Sequence, residues 1–202
     1  YLPHYPRFGM ALMSLKTHAA AETFPIAGAF TISRGSKTEA LVVAVRISDG
    51  FHTGMGECVP YARYGESVES VLEQISGVSE KLSANPDREA LAELLNPGAA
   101  RNALDCALWD LAAKRSGKSV AETLGLSAPK PLTTAYTLSL GTAEEMGNAA
   151  KANARRALLK IKVGGQGDIE RLRAVALNAP GSKIILDANE GWTQDNIVKN
   201  MA

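Results

Sequence analysis

Hydrophobic and polar positions change their period twice along the chain. Over residues 38–59 the pattern is that of strands: "TEALVVAVRI" is rich in β-branched and apolar residues, Asp49-Gly50 signals a turn, and "FHTGMGECV" returns, which together predict a β-hairpin. The extended stretch "AFTIS" (29–33) is suited to pair beside it, and "AAAETFPIAG" (19–28), with its proline and glycine, reads as a mobile loop. Helical spacing then takes over at about 67–83 and 86–95. It is clearest in "GAARNALDCALWDLAAKRSG", where Leu104, Leu108 and Leu111 fall on one face. Asn96 as the N-cap, Pro97 at the first helical position and Gly117 at the end bound that helix. Strands followed by helices, up to about residue 126, make an α+β unit.

Beyond "SAPKP" (127–131) the order becomes strand, helix, strand, helix. "LTTAYTLSL" reads as a strand, and Thr142 with Glu145 forms a T-x-x-E capping box opening a helix to about residue 156. "ALLKIKV" (157–163) is the next strand, with a helix from near Asp168. "SKIILDA" is a third strand, after which Thr193 caps a third helix. Three such alternations predict a parallel sheet with helical crossovers.

Within "ALLKIKV", Lys160 and Lys162 share one face and Leu159, Ile161 and Val163 the other. Parallel strands in α/β folds are covered on both faces, so if helices take the apolar face the lysines point into another interior. In a (β/α)₈ barrel that interior is the central cavity, whose C-terminal mouth holds the active site. Burial and a neighbouring cation both disfavour an ammonium, which makes such a pair a device for turning one amine into a proton acceptor. A solvated edge-strand face and a phosphate-binding pair are the other readings, the latter without any Gly-rich P-loop before either lysine. Asp187, directly after an apolar strand, sits where a barrel presents ligands to a hard cation such as Mg²⁺, with Asn189 able to support it; a turn cap is the equal alternative. With three histidines and no HExxH, zinc is not expected. A metal beside a lysine base suits removal of a proton next to a carboxylate, through an enolate.

Composition narrows the class without changing this picture. The 202 residues are 46% hydrophobic with a formal net charge of +1, which suits a soluble globular protein and gives no electrostatic case for nucleic acid or an anionic membrane as partner. No run reaches the length of a membrane-spanning helix, and the opening "YLPHYPRFGMALM" lacks a signal peptide's pattern. Residues 1–13 read as an extra segment, native or a cloning remnant. Cys58 and Cys106, far apart and without CxxC, read as reduced buried thiols of a cytoplasmic protein.

Five segments carry a resemblance to a known family: "SRGSKTEA" (33–40), "GECVPYARYGES" (56–67), "GAARNALDCALWDLAAK" (98–114), "LLKIKVG" (158–164) and "LDANEGW" (186–192). Over about residues 15–200 the sequence resembles the enolase superfamily, its muconate-lactonising subgroup, and most of all the L-Ala-D/L-Glu (dipeptide) epimerases. The resemblance implies an α+β capping domain (14–128) followed by the first part of a (β/α)₈ barrel (129–202), and Mg²⁺-dependent inversion of a dipeptide at the α-carbon of its second residue. It implies Lys162 as the acid/base on one face and Lys160 as its partner, tuning the base and holding the substrate carboxylate. Asp187 corresponds to the first of three Mg²⁺ ligands. Arg34 corresponds to a residue that binds an acidic substrate side chain, which a guanidinium can grip bidentately, although an Arg before Gly35 is equally a turn residue. Thr137 lines the substrate pocket or is a plain strand threonine, and 19–29 is the loop that closes over the site. A small dipeptide as ligand and a homo-oligomeric assembly complete the implication.

The sequence departs from that pattern in one respect. Residues 131–202 suffice for three strand–helix units, whereas a barrel of this type takes about 250 residues. Two further acidic ligands and a second lysine, required because a proton taken from one face is returned on the other, are not in it. The 202 residues by themselves are therefore expected to be inactive, to bind Mg²⁺ poorly, to expose sheet edges and to be part of a longer chain. Other reactions of the subgroup (cycloisomerisation, o-succinylbenzoate synthesis, N-acylamino acid racemisation) and an inactive fragment or binding module are the rival readings.

Overall fold

The computed structural model describes residues 14–84 and 87–201; the opening segment 1–13 lies outside the described residues. The chain divides into two compact units, one holding the residues up to Phe24 with Leu41–Pro129, the other Pro25–Ala40 with Lys130–Ala202. Strands β1 (Lys16–Ile32) and β2 (Gly35–Ser48) run through both, joined by a turn at Ser33 and Arg34. With β3 (Thr53–Cys58) they form a sheet in the order β1-β2-β3, and β2 and β3 are antiparallel in the register Val45↔Gly56.

Segment 19–29 is therefore strand, not the mobile loop its composition suggests. It pairs with β2 on one side only, and Pro25 is tolerated because β1 is an edge strand. At the β2–β3 connection the Asp49 carboxylate accepts the amides of Phe51 and His52 and pairs with Arg115. The His52 amide and the Arg115 guanidinium hold that carboxyl well below the usual carboxylate range.

In the first unit, α1 (Val68–Ala84), α2 (Arg88–Leu94), α3 (Ala99–Ser116) and the short α4 (Val120–Thr123) follow the sheet. Val43, Val45 and Ile47 of β2 meet Val71, Ile75 and Leu82 of α1 and Leu104 and Leu111 of α3 in one apolar core. Helix α3 begins two residues later than Asn96-Pro97 suggest, because its cap comes from elsewhere in the chain. Glu66 Oε1 accepts the Ala99 amide at 2.6 Å, its other oxygen accepts the Tyr61 amide, and Gly98 is extended. Gly117, at φ 65°, ends the helix where the sequence indicates. Cys58 is buried, and burial pushes its thiol up to about 11. Cys106 is exposed, contrary to the buried reading, because it lies off the stripe Ala103, Leu104, Ala107, Leu108, Leu111 that α3 turns inward.

The second unit alternates β4 (Tyr136–Leu138), α5 (Ala143–Ala152), β5 (Leu158–Lys162), α6 (Asp168–Asn178), β6 (Lys183–Asp187) and α7 (Gln194–Met201). The three strands are parallel in the order β4-β5-β6. The Thr142–Glu145 capping box opens α5, which stops at Ala152 rather than near 156. Strand β4 is much shorter than "LTTAYTLSL", since only three residues face β5 in register. Leu138, Leu159, Ile161, Val163, Met146 and Val175 form the core between sheet and helices. On β6, Ile185 and Leu186 stay 43% and 41% exposed.

Gly54 and Gly56 let β3 lie directly on α3. A Cβ at Gly56 would overlap the carbonyl oxygen of Ala103, and one at Gly54 that of Ala107, both helix backbone that cannot turn aside. Gly56→Ala is accordingly predicted to destabilise the first unit by about 2–3 kcal/mol, the order of an overpacked core. Urea unfolding of the variant with an unchanged m-value checks this; loss under about 0.5 kcal/mol would contradict the close approach.

Candidate active site

Strand alternation decides which side chains meet. Leu159, Ile161 and Val163 are fully buried against α5 and α6, which turns Lys160 and Lys162 to the opposite face of the sheet. Parallel pairing brings Thr137 beside Lys160, with Ile185 on the other flank, and Asp187 beside Lys162. Lys162 is 4% exposed; the Lys160 side chain is 34% exposed.

The two ammonium groups converge on a single oxygen. Asp187 Oδ2 lies 2.8 Å from Lys160 Nζ and 2.7 Å from Lys162 Nζ. Lys162 also donates to Asn189 Oδ1 at 2.7 Å, while the Asn189 amide donates to Asp187 Oδ1. The Phe30 ring, from the turn end of β1, stands with its centroid 5.5 Å from Lys162 Nζ. The bonds from Lys160 and Lys162 hold the Asp187 carboxyl far below the usual carboxylate range. The sequence pattern suggested two lysines opposing each other's charge; the fold instead supplies one shared anion, contributed by the neighbouring strand.

Arg34, in the β1–β2 turn, is ion-paired with Glu190 at 3.1 Å, and Ser33 Oγ donates to the carbonyls of Ala188 and Asn189. The turn is thereby tied to the loop that carries Asp187 and Asn189. Thr137 is half-buried beside Lys160. Asp187 has the chemistry of a Mg²⁺ ligand. Among the described residues, however, no three acidic, His or Cys side chains cluster in a way that could hold a metal, so these residues do not form a complete cation site.

One residue that joins the loops of the site reads in the sequence as no more than a helix start. Asp168 is 2% exposed and accepts from the amides of Gly164 and Gly165, from Trp192 Nε1 at 2.9 Å and from Arg171. It joins the loop after β5 to the loop after β6. The only sequence signal is the glycine pair before it and the tryptophan after the "DANEG" turn. Burial alone would raise its carboxyl, but the bonds from Trp192, Gly164, Gly165 and Arg171 outweigh it and hold the group low.

Residues 14–125 match the family model described as mandelate racemase / muconate lactonizing enzyme, N-terminal domain. The L-Ala-D/L-Glu epimerase of Escherichia coli (strain K12) is 43% identical over 178 residues, covering 87% of this chain and 56% of that protein. A crystal structure of an enolase family member from Agrobacterium tumefaciens with homology to dipeptide epimerases, with bound sodium and L-Ala-L-Glu, is similar with a TM-score of 0.87. It is 52% identical, covering 92% of this chain and 57% of that one. A dipeptide epimerase from Enterococcus faecalis V583, complexed with Mg and L-Leu-L-Tyr, has a TM-score of 0.84 at 29% identity, covering 94% and 57%. The chain spans about half the length of the curated relatives it matches. No described helix is long and apolar enough to cross a membrane.

Because the Asp168 carboxyl sits lower folded than unfolded, its contribution to stability is full above about pH 3.9 and is lost as pH falls through the folded value. Asp168→Asn is predicted to cost about 1–3 kcal/mol at pH 7. Urea melts should show the gap to the unsubstituted chain narrowing toward pH 2; a gap independent of pH would mean the carboxylate charge is not what holds the two loops.

Proposed function

The chain belongs to the mandelate racemase / muconate lactonizing enzyme family, and from that premise we propose that the full protein is a Mg²⁺-dependent epimerase of short dipeptides such as L-Ala-D/L-Glu. In this reading residues 14–128 are the capping domain, 129–202 begin a (β/α)₈ barrel, and the protein is a cytoplasmic homo-oligomer. The observation that carries it is the convergence of Lys160, Lys162 and Asp187 on one sheet face, with Lys162 withdrawn from solvent.

Two ammonium groups sharing one carboxylate leave a positive charge uncompensated, which suits the carboxylate of a substrate. Lys160, the more exposed of the pair, would hold that carboxylate. Lys162 as a neutral amine would take the α-proton, leaving an enolate whose negative charge Lys160 faces; as an ammonium it returns a proton to the same face. Exchange of configuration also needs a base on the opposite face, which the described strands do not carry. Arg34 would hold an acidic side chain and Thr137 would line the pocket. Mg²⁺ belongs to the same proposal, with Asp187 one oxygen ligand, Asn189 in support and the remaining ligands from outside residues 14–201.

The full-length protein incubated with L-Ala-L-Glu and Mg²⁺ in D₂O is expected to lose the α-proton signal of the second residue and to accumulate the L-Ala-D-Glu diastereomer. Lys162→Ala should lower the rate of that exchange by at least about 10²–10⁴, the range for a lost acid/base. Exchange confined to an N-acylamino acid, or cycloisomerisation without exchange at any dipeptide, would replace this reading with another reaction of the family.

A further inference from the structure

A carboxylate from the protein already lies against the guanidinium to which the proposed function gives the substrate's side chain. Glu190 Oε2 is 3.1 Å from Arg34 Nη1, with the two side chains 61% and 37% exposed. The approach is built into the backbone on both sides. Ser33 Oγ donates to Ala188 O at 3.3 Å and Asn189 O at 3.1 Å, so the turn carrying Arg34 is bonded to the loop carrying Glu190. A Cβ at Gly191 would stand 3.2 Å from Ser33 Cβ, so that glycine lets the loop come against the turn. Asn189 and Glu190 both hold left-handed conformations, φ 46° and 66°, and are the only non-glycine residues with positive φ among those described. Asn enters that region readily; Glu does so at a steric cost, and the turn bonds keep it there.

We infer that Glu190 is a specificity-determining residue, an internal competitor that occupies Arg34 until the acidic side chain of a dipeptide displaces it. The inference rests on the epimerase reading, in which Arg34 is the side-chain anchor. An exposed ion pair of this kind is weak, corresponding to a factor of up to about five in an equilibrium, so an incoming carboxylate in good geometry can replace it. A dipeptide with a neutral side chain leaves the Arg34–Glu190 pair closed and the arginine neutralised. Glu190 thereby moderates the preference for acidic over neutral side chains: it weakens the binding of the first and leaves the second unpenalised. Glu190 acts through Arg34 and is a positioning residue.

The test is calorimetric titration of the full-length protein with L-Ala-L-Glu and with L-Ala-L-Gln, in the unsubstituted protein, in Glu190→Gln, and in both backgrounds carrying Arg34→Met. Glu190→Gln should tighten L-Ala-L-Glu about two- to fivefold while leaving L-Ala-L-Gln unchanged, and the effect should vanish with Arg34→Met. Glu190→Gly, which relieves the left-handed backbone, should act in the same direction and covers the case in which the Gln variant folds poorly. Equal weakening of both dipeptides would make Glu190 a purely structural loop residue and overturn the proposal. Tightening that persists without Arg34 would also overturn it, since a general field effect would then suffice. If the unsubstituted protein exchanges the α-proton in D₂O but the selectivity ratio does not move, this inference alone falls. If it neither binds nor exchanges either dipeptide, the epimerase reading falls and this one with it.

Discussion

The second unit is organised around one oxygen atom. Two lysines two residues apart on one strand would repel each other on a shielded face, and a protein that buries one of them to 4% exposure must answer that repulsion. The answer is Asp187, whose Oδ2 meets both ammonium groups at 2.7–2.8 Å. Its position follows from the parallel register alone: Lys162 and Asp187 are partners across β5 and β6, so their side chains emerge together. The second carboxylate oxygen is taken by the Asn189 amide, which begins the turn out of the strand. Charge, register and turn depend on one another there, and displacing any one releases an unbalanced cation at the site.

The loops around that cluster are tied together by polar contacts, with Val163, Ala188 and Trp192 in or against the apolar core. Asp168 gathers two amides, an indole and a guanidinium into one buried point, uniting the loops after β5 and β6. The β1–β2 turn is fixed by Ser33 and Arg34 to the loop after β6, and β1 meets the segment just after β4, where Ser139 Oγ donates to Ala29 O and the Leu140 amide to Thr31 O. Residues Pro25–Ala40, which include the turn, belong to the same compact unit as β4, β5 and β6. That turn brings Arg34 beside Glu190 and Phe30 beside Lys162, residues more than a hundred positions later.

The sequence by itself determined a good part of this protein: the β2–β3 hairpin, the buried stripe of α3, the Thr142–Glu145 cap, the three parallel strands and the sidedness of "LKIK". These are local consequences of side-chain periodicity and of short-range hydrogen bonding, so a window of a few residues contains their cause. Arg34, Thr137, Lys160, Lys162, Asp187 and Asn189 were candidates from residue type and family resemblance. Only the tertiary structure decided that Asp187 bridges both lysines, that Glu66 caps α3 from 33 positions away in place of Asn96, and that Glu190 sits on Arg34. It likewise decided that segment 19–29 is a strand, since its pairing partner β2 lies beyond the turn, and that Cys106 faces out. Each of these depends on groups distant in sequence brought within a hydrogen bond's length, and pattern along a chain carries no information about which distant partner will arrive.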